Sequence, residues 1–145
     1  MMKIGILIVF QNDESAIEAQ KFAALFAEKK KLAVCFVNNG STDNTLELLK
    51  EIQEEASISI SVIDVKKSRG HTTAMKAGVR YLTSQHDLPY ILCLQQYASN
   101  DFSMLEKVFR IIEKEKGFFK GLFKKTKRMV YKNVFSLRGV LDMAC

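Results

Sequence analysis

Val37-Asn38-Asn39-Gly40-Ser41-Thr42-Asp43-Asn44-Thr45 is the stretch on which the fold turns. An apolar run ends in two asparagines, a glycine follows, and Thr45 opens a segment of helical periodicity. Ser41 or Thr42 is placed to accept the first free N–H groups of that helix, and Asp43 sits favourably against its positive end. By itself the stretch is a strand-to-helix turn. Its neighbours in the sequence give it more meaning.

Working outward, continuous apolar runs occur at Ile4–Phe10, Leu32–Val37, Ile58–Val65 and Tyr90–Leu94. Runs of that kind suit strands covered on both faces in a parallel sheet. Helical patterns separate them. Asp13 to Lys31 places Ala19, Phe22, Ala23 and Phe26 on one face, and Thr45 to Ala56 does the same with Leu48, Leu49, Ile52 and Ala56. Thr72–Gln85 follows suit, as does Asp101–Glu115 with Phe102, Leu105, Val108, Phe109 and Ile112. Four rounds of strand and helix predict an α/β fold, a three-layer sandwich around a mainly parallel sheet. Ligands of such sheets bind beyond the carboxyl ends of the strands. Chemistry is therefore to be sought after Phe10, after Val37, after Leu94 and in the Ser68–Gly70 loop.

The chain has 145 residues, 48% of them hydrophobic and 26% charged, with one proline. That is the composition of a folded globular domain. The three cysteines, Cys35, Cys93 and Cys145, form no CxxC pair. Two of them sit in apolar runs, so a reducing, cytoplasmic setting is expected. The apolar start at Ile4–Phe10 lacks a signal-peptide cleavage site, is far too short to span a bilayer, and reads as a buried first strand.

Several motifs in order resemble family-two inverting glycosyltransferases, which have the GT-A fold and use nucleotide-diphosphate sugars. The family reads V-D-D-G-S-T-D-x-T where this chain has Val37 to Thr45, with Asn38 and Asn39 for the two aspartates. Asn12-Asp13-Glu14 is similar to the family's N-E-E. Ser68-Arg69-Gly70, followed by Ala74, Ala77, Gly78 and Val79, is similar to N-R-G-x-x-x-A-x-x-A-G-L. The resemblance covers about residues 1–115 and implies a nucleotide-sugar-binding domain there. It implies a hexose carried by UDP or GDP, with Phe10, Asn12, Asn38, Gly40, Arg69 and Gln95 around the nucleotide. Asn38 would accept a hydrogen bond from the base and Arg69 would meet the phosphates. The bland reading of Arg69 is a solvated loop cation. His71 has no Cys, His or carboxylate neighbour in sequence and is not assigned as a ligand.

The family places D-x-D at the end of its fourth strand to hold Mg²⁺ or Mn²⁺ against the diphosphate. Here Leu94-Gln95-Gln96-Tyr97 occupies that position. Neither Gln95 nor Tyr97 brings a negative charge, and a phenol ligates a metal only when ionised. The resemblance thus implies a metal that the residues at this position do not call for, and hexosyl transfer is left open. The catalytic base and acceptor elements of the family lie after D-x-D, so the chain is read as truncated after the nucleotide-binding half.

The remaining residues, 116–145, form a basic, hydrophobic extension. Lys116 to Arg138 carries eight Lys or Arg and no acid, against a net −2 for the rest. Lysines interleaved with Phe118, Phe119, Leu122 and Phe123 suit an anionic membrane surface. The alternatives are a helix packed on the domain or a homodimer interface. Nucleic acid is the weakest candidate, because no recognition motif accompanies the charge. A non-catalytic interaction or membrane-associated module on the same scaffold is the alternative function.

Overall fold

A computed structural model describes residues 3–114 and 133–144. Five strands form one sheet in the order β3-β2-β1-β4-β5, all neighbours parallel. They are β1 Ile4–Phe10, β2 Leu32–Asn39, β3 Ile60–Val65, β4 Tyr90–Leu94 and β5 Val134–Ser136. The helices are α1 Ala19–Phe26, α2 Thr45–Glu55, α3 His71–Gln85, α4 Asp101–Lys114 and α5 Leu137–Ala144. The expected three-layer α/β sandwich is the fold observed.

Alternation along the central strands explains the layers. From β1 and β2, Ile6, Ile8, Phe10, Val34 and Phe36 point to one face, where they meet Phe22 and Phe26 of α1, Leu49 of α2, Leu105 of α4 and Val140 of α5. Leu7, Val9, Cys35 and Val37 point to the other face and pack on Ala74, Met75, Val79 and Leu82 of α3. Gly78 lets α3 settle closely, because a Cβ there would stand 2.3 Å from Leu7 Cδ1 and 3.0 Å from Val37 Cγ2. Aromatic edges fill the first face: Phe10 and Phe36 lie 5.4 Å apart and nearly perpendicular.

Strand order reverses between β1 and β4. The chain runs outward through β2 and β3, then returns to the other side of β1. That switch point opens a crevice at the carboxyl ends of the strands.

Three local expectations are corrected. The helix expected over Asp13–Lys31 is confined to Ala19–Phe26, preceded by a 3₁₀ turn at Glu14–Ala16. Long-range bonds take up its intended first turn: Asn12 N–H donates to Ser41 Oγ, Asp13 N–H to Thr45 Oγ1 and Glu14 N–H to Asp43 Oδ2. At its far end Glu28 takes a left-handed φ of 62° and donates its N–H to Ser57 Oγ. The capping expectation also shifts. Ser41 and Thr42 face Asn12, and it is Asp43 Oδ1 that accepts from Thr45 N–H at 3.0 Å. Finally, β3 begins at Ile60 and is only half-buried beyond it, being an edge strand.

β5 and α5 lie within the basic extension. Ile91, Leu92 and Cys93 pair with Val134, Phe135 and Ser136, so this part of the extension completes the sheet. Lys116–Lys132, with the aromatic residues of the extension, lies outside the described residues. No helix among the described residues is long and apolar enough to cross a membrane.

Candidate nucleotide crevice

The floor of the crevice is built by the ends of β1, β2 and β4. Phe10 is opposite Asn38, and Asn38 is opposite Asp64. Two loops are clamped to each other above them. Asn12, at a left-handed φ of 52°, accepts from Thr42 N–H at 2.8 Å through Oδ1 while its own N–H donates to Ser41 Oγ at 3.0 Å. Asparagine tolerates that conformation better than most side chains. Gly40 takes φ +62°, bonds Val65 O at 2.8 Å through its N–H, and runs so near the loop after β3 that a Cβ would meet Ser68 N at 2.5 Å. Only glycine fits that approach without strain.

The expected site residues separate into two groups. Asn38, with Gly40 and Asn12, is gathered at the end of β2. Gln95 lies on the wall of a cavity of about 370 Å³ lined also by His71, Leu94, Gln96, Ser136 and Arg138. Arg69 is exposed on the loop before α3. Phe10 and Tyr97 go elsewhere. The Phe10 ring is fully buried, 4.9 Å from the Tyr97 ring, and Tyr97 lies 5.6 Å from Phe22. The Tyr97 hydroxyl donates to Ala16 O at 3.4 Å. The side chains of Phe10 and Tyr97 therefore serve the core rather than a ligand, because burying an aromatic ring outweighs what an open crevice offers it.

Four buried side-chain polar atoms have no partner: Asn38 Oδ1, both amide atoms of Asn39, and His71 Nδ1. All belong to the end of β2 or the start of α3. Buried polar groups are nearly always bonded, so such a concentration marks a place built for a partner. His71, set aside in the sequence, is among them and lines the cavity. No sequence signal announced it, since its surroundings are supplied by β4 and β5.

Charge near the crevice is arranged around three aspartates. Asp43 is pushed up by burial, but hydrogen bonds from the Thr45 hydroxyl, Thr45 N–H and Glu14 N–H outweigh this and hold it below the usual carboxylate range. Asp13 is raised, by burial first and by the nearby Asp43 and Asp101 charges, against the hydrogen bond from Gln11 N–H. Asp101 is almost fully buried, accepts from Ala98 N–H at 2.8 Å and pairs with Arg138 at 2.7 Å. Cys93 touches the cavity, but burial pushes its thiol up to about 12, so it is no nucleophile at neutral pH.

The whole of this framework has a counterpart among known proteins. Residues 6–139 match the profile of Glycosyl transferase family 2. The chain belongs to that family. It is similar to the poly-beta-1,6-N-acetyl-D-glucosamine synthase of Staphylococcus aureus (strain COL), at 29% identity over 91 residues, which is 63% of this chain and 21% of the synthase. The Staphylococcus epidermidis synthase is 24% identical over 91 residues, with the same coverage of each chain. Among solved structures, S. aureus TarS 1-349 in complex with UDP superposes with a TM-score of 0.52 at 16% identity, covering 77% of this chain and 32% of that one. This likeness shows the shared fold. The chain spans about a fifth of the length of the synthases it matches.

Family membership implies a divalent cation, and the residues present do not fit one. Gln95 turns its amide nitrogen to Met75 Sδ at 3.2 Å. Tyr97 is turned into the core, and burial pushes its hydroxyl up to about 12. Among the described residues no three of His, Cys, Asp and Glu gather as a metal site. A hard cation needs several oxygen donors, preferably charged.

Proposed function

We propose that this chain binds the nucleotide diphosphate of an activated hexose, carried by UDP or GDP, in the crevice at the ends of β1, β2 and β4. The observation that carries the reading is the concentration of unpartnered buried polar atoms on Asn38, Asn39 and His71. The base lies at Asn38, beside the loop turned by Gly40 and clamped by Asn12. Arg69 meets the phosphates from the loop before α3, with Gln95 on the cavity wall. UDP in the TarS structure supports this placement by likeness of fold.

Within this reading the protein's own groups bind and orient the donor, and nothing is routed through a metal. Hexosyl transfer is the reaction that family membership suggests. The absence of D-x-D carboxylates favours the alternative of a non-catalytic module on the same scaffold. A thermal-shift panel of nucleotides and nucleotide sugars separates them. Ligand at 100 times its dissociation constant stabilises a domain by about 2.7 kcal/mol. Stabilisation by UDP, GDP or their sugars supports nucleotide binding, and product formation with an acceptor supports turnover. No shift with any of them overturns both in favour of the module.

The reading also keeps a nucleotide-binding domain over residues 1–115 with a basic extension after it. The charge of that extension supports a cytoplasmic setting peripheral to an anionic membrane. Its test is co-sedimentation with anionic vesicles. Replacing Lys124, Lys125, Lys127 and Arg128 by Gln is expected to abolish binding without changing the urea midpoint, and absence of binding by the unaltered chain at low salt overturns it.

A further inference from the structure

Asn38 and Asp64 stand opposite each other at the carboxyl ends of β2 and β3, and Asn38 Nδ2 donates to Asp64 Oδ1 at 3.0 Å. The direction of that bond is forced. Lys66 bonds Asp64 Oδ2 at 2.8 Å and, together with the Asn38 amide, holds the carboxyl below the usual range against its partial burial. At neutral pH Asp64 is a carboxylate and can only accept. The amide nitrogen must face it. The amide oxygen, across the same planar group, faces away, and there it is buried without a partner.

Asparagine alone has no fixed polarity, because a half-turn of its amide exchanges donor for acceptor. An aspartate at position 38 would present acceptors whichever way it turned. With asparagine there, polarity depends on a neighbour. We infer that Asp64 is a specificity-determining positioning residue, locking the Asn38 amide with its oxygen toward the nucleobase so that bases with a ring N–H are accepted and those with a bare ring nitrogen are refused. Uracil and guanine carry such an N–H beside a carbonyl. Cytosine and adenine present a lone pair at the equivalent atom, which would face the amide oxygen with no proton between them. The inference rests on reading the crevice as a nucleotide site. Asp64 is the solvent-facing member of the pair, its side chain 25% exposed, and Asn38 lies beneath it. A base edge reaches the amide oxygen as the side chains covering it part.

Calorimetric titration of the full chain at neutral pH with UDP, CDP, GDP and ADP tests it. UDP and CDP match in size and charge and differ only at the edge in question; GDP and ADP form the corresponding purine pair. For whichever ring size the crevice takes, the N–H-bearing base is expected to bind at least about tenfold tighter, because a site built to receive a donor leaves its acceptor unpaired against the wrong base. In Asp64→Asn the new carboxamide can donate as well as accept, so the Asn38 amide is free to turn and the ratio should fall to about threefold or less. Lys66→Ala, which leaves the Asn38–Asp64 bond in place, should retain it. A merely structural role for Asp64 would weaken all four nucleotides alike and leave the ratio unmoved. Equal affinities in the unaltered chain, or an undiminished ratio in Asp64→Asn, overturn the inference while leaving nucleotide binding intact. Failure of all four to bind overturns both together. If Asp64→Asn does not fold, as circular dichroism would show, the ratio in the unaltered chain decides alone.

Discussion

One nitrogen of the Arg138 guanidinium lies 2.7 Å from Asp101 Oδ2 and 3.0 Å from the main-chain oxygen of Gln96, so a side chain of α5 ties the loop after β4 to the start of α4. Asp101 is the buried member, its side chain 4% exposed against 51% for Arg138. Arg138→Ala would leave the carboxylate with the Ala98 N–H. The expected loss is about 1–3 kcal/mol, less than for a fully buried pair because the arginine is half in solvent. Urea unfolding measures it. In an Asp101→Asn background the same replacement should cost much less, since no buried charge is then left unpaired.

Acid should act on Asp43 and Asp13 in opposite senses. The carboxyl of Asp43 is depressed in the folded state, so its contribution is present above the ordinary carboxylate range and is lost as pH falls through the depressed value. Asp13 is raised, so its charge costs stability at neutral pH and the cost is relieved as pH falls through the raised value. Asp43→Ala should therefore lose about 0.5–2 kcal/mol at neutral pH, the usual worth of a helix-start acceptor. Asp13→Asn, which keeps an acceptor for Gln11 N–H, should raise the urea midpoint at neutral pH. Its advantage should vanish at about pH 3, below the ordinary carboxylate range.

Rebuilding a D-x-D pair should fail for a reason visible in the core. Tyr97→Asp removes a ring packed on Phe10 and Phe22 and buries a carboxyl in its place. The expected destabilisation is at least about 3 kcal/mol, as for other deletions of buried rings. Thermal unfolding of the variant, with and without Mn²⁺, checks this, and rescue by the metal would contradict it. In the unaltered chain Mn²⁺ is expected to change UDP affinity by less than tenfold, about 1.4 kcal/mol, on calorimetric titration.

Gly40→Ala places a methyl group against the main chain of Ser68 and forces a side chain into a left-handed conformation. A cost of about 1–3 kcal/mol is expected from overpacking and strain. Displacement of the loop should also weaken nucleotide binding. Equal stability and affinity for the alanine variant in thermal-shift titration would refute the tight approach of the two loops.

The apolar runs by themselves determined where the central strands lie: Ile4–Phe10 and Tyr90–Leu94 are strands residue for residue as the pattern reads, because a strand covered on both faces has apolar neighbours on every side. The alternation of strand and helix likewise determined the layers, and the glycine turn after Asn39 located the crevice. Tertiary structure decided what each polar residue there does. Asn38 meets Asp64 across 26 residues, Arg138 meets Asp101 across 37, and Tyr97 reaches Ala16 across 81. The first helix yielded its opening turn to bonds between Asn12–Glu14 and Ser41–Thr45. Periodicity reports only how a residue relates to neighbours a few positions away. The orientation of an amide, the partner of a carboxylate and the side to which a ring turns depend on strands that become neighbours only when the sheet closes.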